Sequence, residues 1–317
     1  MKTVWITHEK REGSIQKSPC VAALGFFDGV HIGHQTVITK AKKIAVQRNL
    51  NLAVITFFPH PKEVLSDGAH SVRYLMPFTM RQEKLERLGV DILYVVRFNP
   101  MFAALSPQQF VKDYLLALHV KHVVAGFDFT YGCRGEGNID TIKGHGRGQF
   151  DVTTVAKVNQ ADGKISSTRI REMLAVGKVG SIPEYLGSFY ETKGRIHSVY
   201  PFGQSGGYLT AIVSIDRYFT LPKPGVYETE AMIDSQYHTF VSRIRPNDMS
   251  IVEVESEFLQ ELEQHKEICL KWIRRLHEIF DGQGDKMHEQ HFAYRPNRIA
   301  CNGFGTIRRV LQECYWS

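Results

Sequence analysis

Two histidines three residues apart, His31 and His34, stand in the stretch GFFDGVHIGHQ, which runs from residue 25 to residue 35. The same eleven residues hold an aspartate and three glycines. A histidine can ligate a metal, transfer a proton or donate a hydrogen bond to a phosphate oxygen. The spacing alone therefore leaves three kinds of site open: a metal site, a catalytic pair and a phosphate cradle.

The elements expected around the histidines favour the phosphate cradle. Residues 20–27 have the pattern of a buried strand, and a helical stripe of apolar residues follows the second histidine. His34 is therefore expected near a helix N-terminus, where backbone N–H groups favour an anion. Zinc would need a third protein ligand at helical or hairpin spacing, which we do not find nearby. Two ordinary surface histidines on a loop stay open as the plain alternative.

A second candidate is ISSTRIR, residues 165–171, which places three hydroxyl side chains before a predicted helix. Arg169 and Arg171 fall in its first turn, where a cation opposes the helix dipole. A bound anion would remove that conflict. Ordinary N-capping would explain one hydroxyl, but it would not explain the arginines.

Two further segments follow predicted strands. TFFPHP, residues 56–61, places His60 between two prolines, and GFDFTYGCRGEGN, residues 126–138, is dense in glycine. Taken singly, they are a rigid turn and a flexible loop. All four segments fall where a parallel α/β sheet binds its ligand, beyond the carboxyl ends of the strands. Their convergence indicates one common ligand site.

Strand and helix patterns alternate through the first half of the chain, which predicts a parallel sheet covered on both faces. Thr79 and Gln82 stand at capping-box spacing before one helix. Ser106 and Gln109 give the same signal before another, with Pro107 at the first helical position. We expect strands at residues 20–27, 52–58, 91–98, 121–129 and 150–158, and helices at residues 35–49, 79–89 and 106–118.

The pattern changes near Pro183 to short alternating strands separated by glycine- and proline-rich turns. This change predicts an antiparallel sheet or small β-barrel. Residues 267–280 read as a helix that covers the barrel, and residues 303–317 as a short terminal helix. The polar segment 281–291 is expected to be a loop, and its HEQH fragment lacks the spacing of a zinc-binding HExxH.

The composition is that of a globular chain, with 43% hydrophobic and 23% charged residues among 317. No apolar run reaches the ~18 residues of a membrane span, and we expect no secretory signal. Five cysteines form no CxxC pair, so we expect reduced thiols in a cytoplasmic protein. A net charge of +6 suits an anionic partner. Nucleic acid is not expected, because we find no RNA-recognition motif.

In their order and spacing, GFFDGVHIGHQ, TFFPHP, GFDFTYG and ISSTRIREMLAVG resemble the adenylyltransferase module of prokaryotic FAD synthetases, which are HxGH-type nucleotidyltransferases. The resemblance covers residues 15–185. It implies a Rossmann-like α/β fold and the reaction FMN + ATP → FAD + pyrophosphate, with Mg²⁺ as cofactor. It also implies direct in-line attack of the FMN phosphate on the α-phosphorus of ATP. Pantetheine- or nicotinate-phosphate relatives share the histidine and Ser/Thr-Arg motifs, but not TFFPHP together with GFDFTYG.

The resemblance also implies roles for single residues. His31, His34 and Arg171 would be catalytic, holding the ATP phosphates and stabilising charge as pyrophosphate leaves. Asp28 would shape the turn before them, and the Mg²⁺ ligands stay unknown. The implied ATP-binding residues are Gly25, Phe26, Gly33, Ser166, Ser167 and Thr168, and those of the FMN or phosphate region are His60, Gly126, Asp128 and Gly132.

The second half resembles the riboflavin kinase module of the bifunctional members. The family motif Gly-Phe-Pro-Thr-Ala-Asn reads Gly-Tyr-Leu-Thr-Ala-Ile at residues 207–212. Thr210 is kept, but Ile212 replaces the asparagine that helps to hold Mg²⁺ and phosphate, and isoleucine has no ligand oxygen. The Asn-Ile-Gly-x-Arg-Pro-Thr segment is left only as VSRIRPND, residues 241–248. The family's base-bearing stretch resembles VEVESEF, and this resemblance implies Glu253 as the counterpart of the catalytic glutamate.

We therefore expect an α/β nucleotidyltransferase domain with a parallel sheet at residues 1–184. A smaller riboflavin kinase-like antiparallel β-barrel with a C-terminal helix should follow at residues 185–317. The leading hypothesis is an FMN adenylyltransferase whose kinase activity is weak or lost. Alternatives are a fully bifunctional riboflavin kinase/FAD synthetase and a flavin-sensing regulatory protein. We expect no membrane partner, and a homo-oligomer stays open.

Overall fold

A computed structural model describes most of the chain, and its contacts divide the molecule into two units. The first unit comprises residues 1–170 and 185–187, and the second comprises residues 171–184 and those from 188 onward. The predicted boundary after residue 184 falls within the stretch where the units interleave. The predicted tail helix and the HEQH segment lie outside the described residues, which are 1–7, 18–66, 72–160, 163–202, 208–246, 248–256 and 265–278.

Parallel strands build the main sheet of the first unit, which confirms the alternation read from the sequence. The first unit has ten described strands in all, of which six form this sheet. They are β1 (Lys2–Ile6), β2 (Cys20–Leu24), β3 (Asn51–Phe58), β4 (Ile92–Arg97), β5 (Val120–Gly126), β6 (Thr130–Tyr131), β7 (Gly137–Asn138), β8 (Asp151–Val155), β9 (Asn159–Gln160) and β10 (Gly163–Lys164). The sheet runs β1-β4-β3-β2-β5-β8, and the remaining strands form two short antiparallel ribbons. β3, the next strand of this sheet along the chain, lies on one side of β2, and β5 lies on the other side. The topological switch point, where such sheets bind ligands, therefore lies between β2 and β5.

Helices follow the strands, and apolar residues from several of them join the two cores on the faces of the sheet. They are α1 (Ile32–Arg48), α2 (Pro61–Leu65), α3 (Phe78–Arg87), α4 (Pro100–Ala103), α5 (Pro107–Phe110), α6 (Ile142–His145), α7 (Ser167–Ala175) and α8 (Pro183–Leu186), with a π-helical turn at Val111–Leu116. Alternate residues of β2 enter different cores, Ala22 and Leu24 on one face and Val21 and Ala23 on the other. Within the described residues, no helix is long and apolar enough to cross a membrane.

The two predicted capping boxes had different outcomes. The box of Ser106 and Gln109 is confirmed, with both reciprocal hydrogen bonds present at the start of α5. The prediction for Thr79 is wrong, because α3 begins at Phe78 and has no side-chain cap. Its partner Gln82 instead donates through Nε2 to Thr3 Oγ1 at 2.9 Å. Thr3 lies on β1, an edge strand that the sequence analysis did not predict, so a tertiary contact takes the place of the cap.

A closed antiparallel barrel forms the second unit, which confirms the predicted β-barrel. Its strands follow the order β11-β12-β15-β14-β13-β16, and every neighbouring pair is antiparallel. Closure leaves no unpaired strand edge. The bounds are β11 (Tyr190–Phe202), β12 (Tyr208–Ile215), β13 (Gly225–Ile233), β14 (Gln236–Arg245), β15 (Asp248–Ser256) and β16 (Glu267–Glu278).

The predicted helix at residues 267–280 is wrong, because the described part of this segment is strand β16. Its apolar residues fit a period of two as well as a helical period, and Ile268, Leu270 and Trp272 are buried. Backbone pairing with both β11 and β13 closes the barrel and decides between the two periods. The indole Nε1 of Trp272 donates to Thr192 Oγ1 at 3.0 Å, which satisfies its polar atom inside the core.

Candidate active site

A cavity of about 1040 Å³ opens beyond the carboxyl ends of the strands in the first unit. Its walls come from the loops after β2, β3, β4, β5 and β8 and from the start of α7. Arg171 lies one helical turn beyond Thr168, the last lining residue on α7. Segments far apart in the sequence thus meet at one cavity, whose lining includes Gly25, Phe26, His31, Gly33, His34, His60, Gly126, Asp128, Gly132, Ser166, Ser167 and Thr168.

His31 and His34 form a stacked pair at the start of α1. Their ring centroids lie 3.5 Å apart with an interplanar angle of 16°. His31 caps the helix, because its Nδ1 accepts a hydrogen bond from the backbone N–H of His34 at 3.3 Å. An imidazole whose Nδ1 accepts carries its proton on Nε2 when it is neutral. His34 Nδ1 has no hydrogen-bond partner among the described residues.

Burial determines the charge of both histidines. It lowers the pKa of His31 from 6.5 to about 4, and the nearby charge of Lys164 also lowers it, while Asp128 opposes the effect. Burial likewise holds the pKa of His34 well below its usual range, and the charges of His31 and Arg81 add to the shift. Both rings are therefore neutral near pH 7. A neutral imidazole suits donation to an anion better than it suits proton shuttling, which needs a pKa near the working pH.

We expect the protein to lose stability as the pH falls from 6.5 toward 4. The folded pKa of His31, about 4, lies below the unfolded value of 6.5, so the unfolded chain binds the proton first in this window. The full shift corresponds to about 3 kcal/mol, lost once the pH is below the folded pKa. Urea unfolding between pH 7.5 and 4.5 measures this slope. His31→Gln should make the free energy of unfolding depend less on pH, whereas His119→Gln, at an exposed position, should not. The same pH dependence in both variants would contradict the prediction.

Asp28 shapes the loop that carries the histidines, as the family resemblance implies. Its side chain is buried, and its carboxylate accepts hydrogen bonds from the backbone N–H groups of Leu75 at 3.2 Å and Met76 at 3.1 Å. Gly29, next in the chain, has φ 77°, a conformation that glycine adopts without a Cβ penalty. A Cβ there would also lie 3.1 Å from Leu75 Cδ1. The turn is thus held by hydrogen bonds and steric fit.

The hydroxyls at the start of α7 have different partners. Ser166 Oγ accepts from the backbone N–H of Arg169 at 3.2 Å, so ordinary N-capping accounts for this residue. Ser167 Oγ donates to the carbonyl of Asp28 at 3.0 Å. That bond ties α7 to the histidine loop across 139 residues of sequence. Thr168 is exposed and lines the cavity.

The loop after β5 brings a charged pair to the cavity. Lys164 Nζ donates to a carboxylate oxygen of Asp128 and lies 5.0 Å from the centre of the Phe127 ring. Gly132, in the same loop, has φ 77°. A Cβ on it would lie 2.8 Å from the backbone nitrogen of Pro107. The backbone alone therefore requires glycine at position 132, without reference to a ligand.

His60 lies at the N-terminus of α2, after a cis Phe58–Pro59 bond. Its Nδ1 accepts from the backbone N–H of Lys62 at 3.1 Å, and its ring lies 4.5 Å from that of Phe26. Its backbone N–H donates to Tyr74 Oη at 3.0 Å, and that hydroxyl donates to Glu63 at 3.2 Å. These bonds fix the ring beside the cavity.

A charged cluster lies on the wall of the barrel in the second unit. Ile212, Glu253 and Arg243 occupy paired positions on neighbouring strands β12, β15 and β14. Glu253 Oε1 accepts from Arg245 Nε at 2.7 Å, and its Oε2 lies 3.4 Å from Arg243 Nη1. Thr210, two residues before Ile212, is buried, and its hydroxyl has no hydrogen-bond partner within the described chain.

Sequence reasoning missed Arg81 and Lys164, which both act on the histidine pair electrostatically. Arg81 shares the buried face of α3 with Leu85, four residues on, so a charge in an apolar helical stripe was the available signal. Lys164 stands two residues before the first hydroxyl of ISSTRIR, and nothing in its spacing marks it.

The described residues hold no group of three or more histidine, cysteine or acidic side chains that could bind a metal ion on their own. Asp128 is the one acidic side chain among the described residues that line the cavity. Mg²⁺ is commonly held by one or two carboxylates together with substrate phosphates and waters. The cavity therefore fits a magnesium ion that is bound mainly by a polyphosphate. Cys20, Cys133 and Cys269 are free thiols.

Comparisons with known proteins agree with the motifs. A family model described as FAD synthetase matches residues 14–169. A bifunctional riboflavin kinase/FMN adenylyltransferase of Listeria monocytogenes is 44% identical over 247 residues, which cover 78% of this chain and 79% of that protein. Its counterpart in Bacillus subtilis is 38% identical over 285 residues, which cover 87% and 90%.

A solved structure shares the fold across both units. It is described as a macrolide-efflux protein from Streptococcus pneumoniae, with a TM-score of 0.76 and 27% identity, covering 90% of this chain and 95% of that one. The curated relatives share more than 30% identity with the chain over more than two thirds of their own length. By these matches and by its motifs, the chain belongs to the FAD synthetase family of enzymes.

Proposed function

We propose that the first unit makes FAD and pyrophosphate from FMN and ATP, by in-line attack of the FMN phosphate on the α-phosphorus of ATP. The observation that carries the proposal is the neutral, stacked pair of His31 and His34 at the cavity, beside the N-terminus of α7. Such a displacement needs no covalent enzyme intermediate. The protein contributes the alignment of the two substrates and stabilisation of the charge that develops on the leaving group.

The histidines supply hydrogen-bond donors to the leaving pyrophosphate. The hydrogen bond from the His34 amide to His31 Nδ1 assigns the proton of a neutral His31 to Nε2, which can donate to a phosphate oxygen. Negative charge grows on the leaving group as the bond to the α-phosphorus breaks. Donors that are already held in place stabilise this charge without a cost of reorganisation. Their neutral state avoids burying two positive charges while the cavity is empty of phosphate.

The start of α7 is the second part of the proposed phosphate site. Ser166 and Ser167 are engaged with the backbone, so Thr168 and the N–H groups of the first turn are the donors directed to the β- and γ-phosphates. Arg171, one turn on, is the proposed cation for the same phosphates. Asp128 would hold Mg²⁺, which when bound neutralises charge on the polyphosphate.

The second unit, by our proposal, keeps the kinase barrel without effective riboflavin kinase activity. Ile212 offers no oxygen to a hard cation where the family motif has asparagine. The carboxylate of Glu253 already accepts from Arg245 and Arg243, so its oxygens are engaged where a base would have to accept a substrate proton. Arg243 also lies 3.0 Å from Glu255 Oε1. These contacts support the loss of riboflavin kinase activity, one of the two activities in the names of the relatives.

The adenylyl transfer is tested by incubating the purified full chain with FMN, ATP and Mg²⁺. We expect FAD and pyrophosphate in equal amounts, together with a fall in flavin fluorescence, and neither product when EDTA removes the metal. FMN or FAD binding without ATP-dependent turnover would contradict the proposal and favour a flavin-sensing protein. The cytoplasmic location expected from the cysteines stays a prediction.

A further inference from the structure

Arg81 is a buried charge that the proposed reaction does not use directly. It lies on α3 with 1% of its surface exposed, and its guanidinium carbon is 5.2 Å from the ring centre of Phe26 and 5.3 Å from that of Phe78. Nη1 donates to the carbonyl of Phe26 at 2.8 Å. Nε and Nη2 have no hydrogen-bond partner among the residues that the structure describes. Burying a guanidinium with unpaired N–H groups is costly, so this placement requires a reason beyond packing.

The carbonyl that Arg81 holds begins a strained turn. Thr56 Oγ1, on β3, donates to the same oxygen of Phe26 at 2.9 Å. The next residue, Phe27, has φ 56°, and Val30 has φ 43°. Aromatic and β-branched residues rarely adopt this left-handed region, because their side chains crowd the backbone. The turn persists only if its flanks are held.

Asp28 holds the other flank. Its carboxylate accepts from the N–H groups of Leu75 and Met76, in the segment that leads into α3. Its negative charge is also the main favourable charge that Arg81 faces. The turn is therefore fixed at residue 26 by the guanidinium and at residue 28 by the chain before α3.

Phe27 transmits this geometry to the histidines. Its ring packs edge-on against His34, with centroids 5.2 Å apart and an interplanar angle of 78°. His34 in turn stacks on His31. If the turn relaxed at Phe27, the ring would withdraw from this face of His34, and the imidazole pair would lose one of its walls.

We propose that Arg81 is a positioning residue for adenylyl transfer: by holding the Phe26 carbonyl it fixes the strained Phe27 turn and thereby the His31–His34 pair. The inference rests on the proposed function of the first unit. Arg81 is outside the lining of the cavity among the described residues. On this proposal it acts through the loop and not by contact with ATP or FMN.

Arg81→Met keeps an apolar stem and removes the donor to Phe26. We expect kcat for FAD formation to fall about 10- to 100-fold, the effect of losing a charged hydrogen bond that holds the reacting geometry. The KM for ATP should change less than about threefold, because the phosphate contacts themselves remain. Arg81→Lys should recover part of the kcat, since an ammonium group can donate to the same carbonyl. Arg87→Met makes the same change at an exposed position of α3 and should leave kcat unchanged.

A readout independent of activity separates this proposal from the proposed function. In protein labelled with ¹⁵N-histidine, Arg81→Met should shift the His34 ring resonances and Arg87→Met should not, whether or not FAD is made. The positioning role would be overturned if folded Arg81→Met and Arg87→Met had the same His34 ring resonances. The same kcat in these two variants would also overturn it. If Arg81→Met does not fold, Thr56→Val removes the other donor to Phe26; it must lower kcat and shift the same resonances, and a wild-type result would overturn the proposal.

Discussion

Replacing His34 with alanine should lower the turnover of FMN to FAD by about 100- to 1000-fold, the usual effect of removing one donor that stabilises a transition-state charge. Folding should be preserved, because the ring is only half-buried and its removal leaves the backbone hydrogen bonds of α1 intact. The variant also keeps the backbone N–H of residue 34, which donates to His31 Nδ1. Steady-state kinetics with FMN and ATP, together with thermal unfolding, measures both effects.

Two variants control this experiment. His119→Ala removes an exposed histidine from the same unit and should keep the wild-type rate. His34→Gln keeps an amide donor of similar reach and should lose less activity than alanine does. If His34→Ala were folded and turned over at the wild-type rate, the assignment of the histidines to the leaving pyrophosphate would be wrong.

The sequence was sufficient to predict the parallel sheet and the convergence of four distant segments on one cavity. Both follow from a strong local signal, since apolar strands alternate with helices and parallel strands direct their carboxyl ends to one edge. The stacking of His31 on His34 and the engagement of Ser166 and Ser167 with the backbone depend on tertiary geometry. Residue order carries no signal for such contacts.

The errors arose where long-range contacts outweighed local preference. The segment at residues 267–278 has apolar residues that fit two periods, and pairing with β11 and β13 selects the strand. Gln82 bonds to Thr3 on an unpredicted edge strand instead of capping α3. The sequence does not show the role of Arg81, because the guanidinium binds the carbonyl of Phe26, which is 55 residues away.

The second large effect concerns riboflavin. We expect the full chain to form FMN from riboflavin and ATP at least about 100-fold more slowly than it forms FAD from FMN, since a phosphoryl transfer without its metal ligands loses most of its charge stabilisation. The paired positions of Ile212, Glu253 and Arg243 put an apolar side chain and a bound guanidinium beside the counterpart of the base. If the kinase site is lost, as we propose, Glu253→Gln should change neither rate, because its carboxylate then has no substrate proton to accept.

One measurement compares the two activities in the same preparation. The purified chain is given ATP and Mg²⁺ with either riboflavin or FMN, and FMN, FAD and pyrophosphate are separated and quantified over time. We expect FAD and pyrophosphate from FMN, and formation of FMN from riboflavin at a rate at least about 100-fold lower. FAD accumulating from riboflavin at a rate close to that from FMN would show a working kinase in the barrel, and failure to make FAD from FMN would contradict the assignment of the first unit.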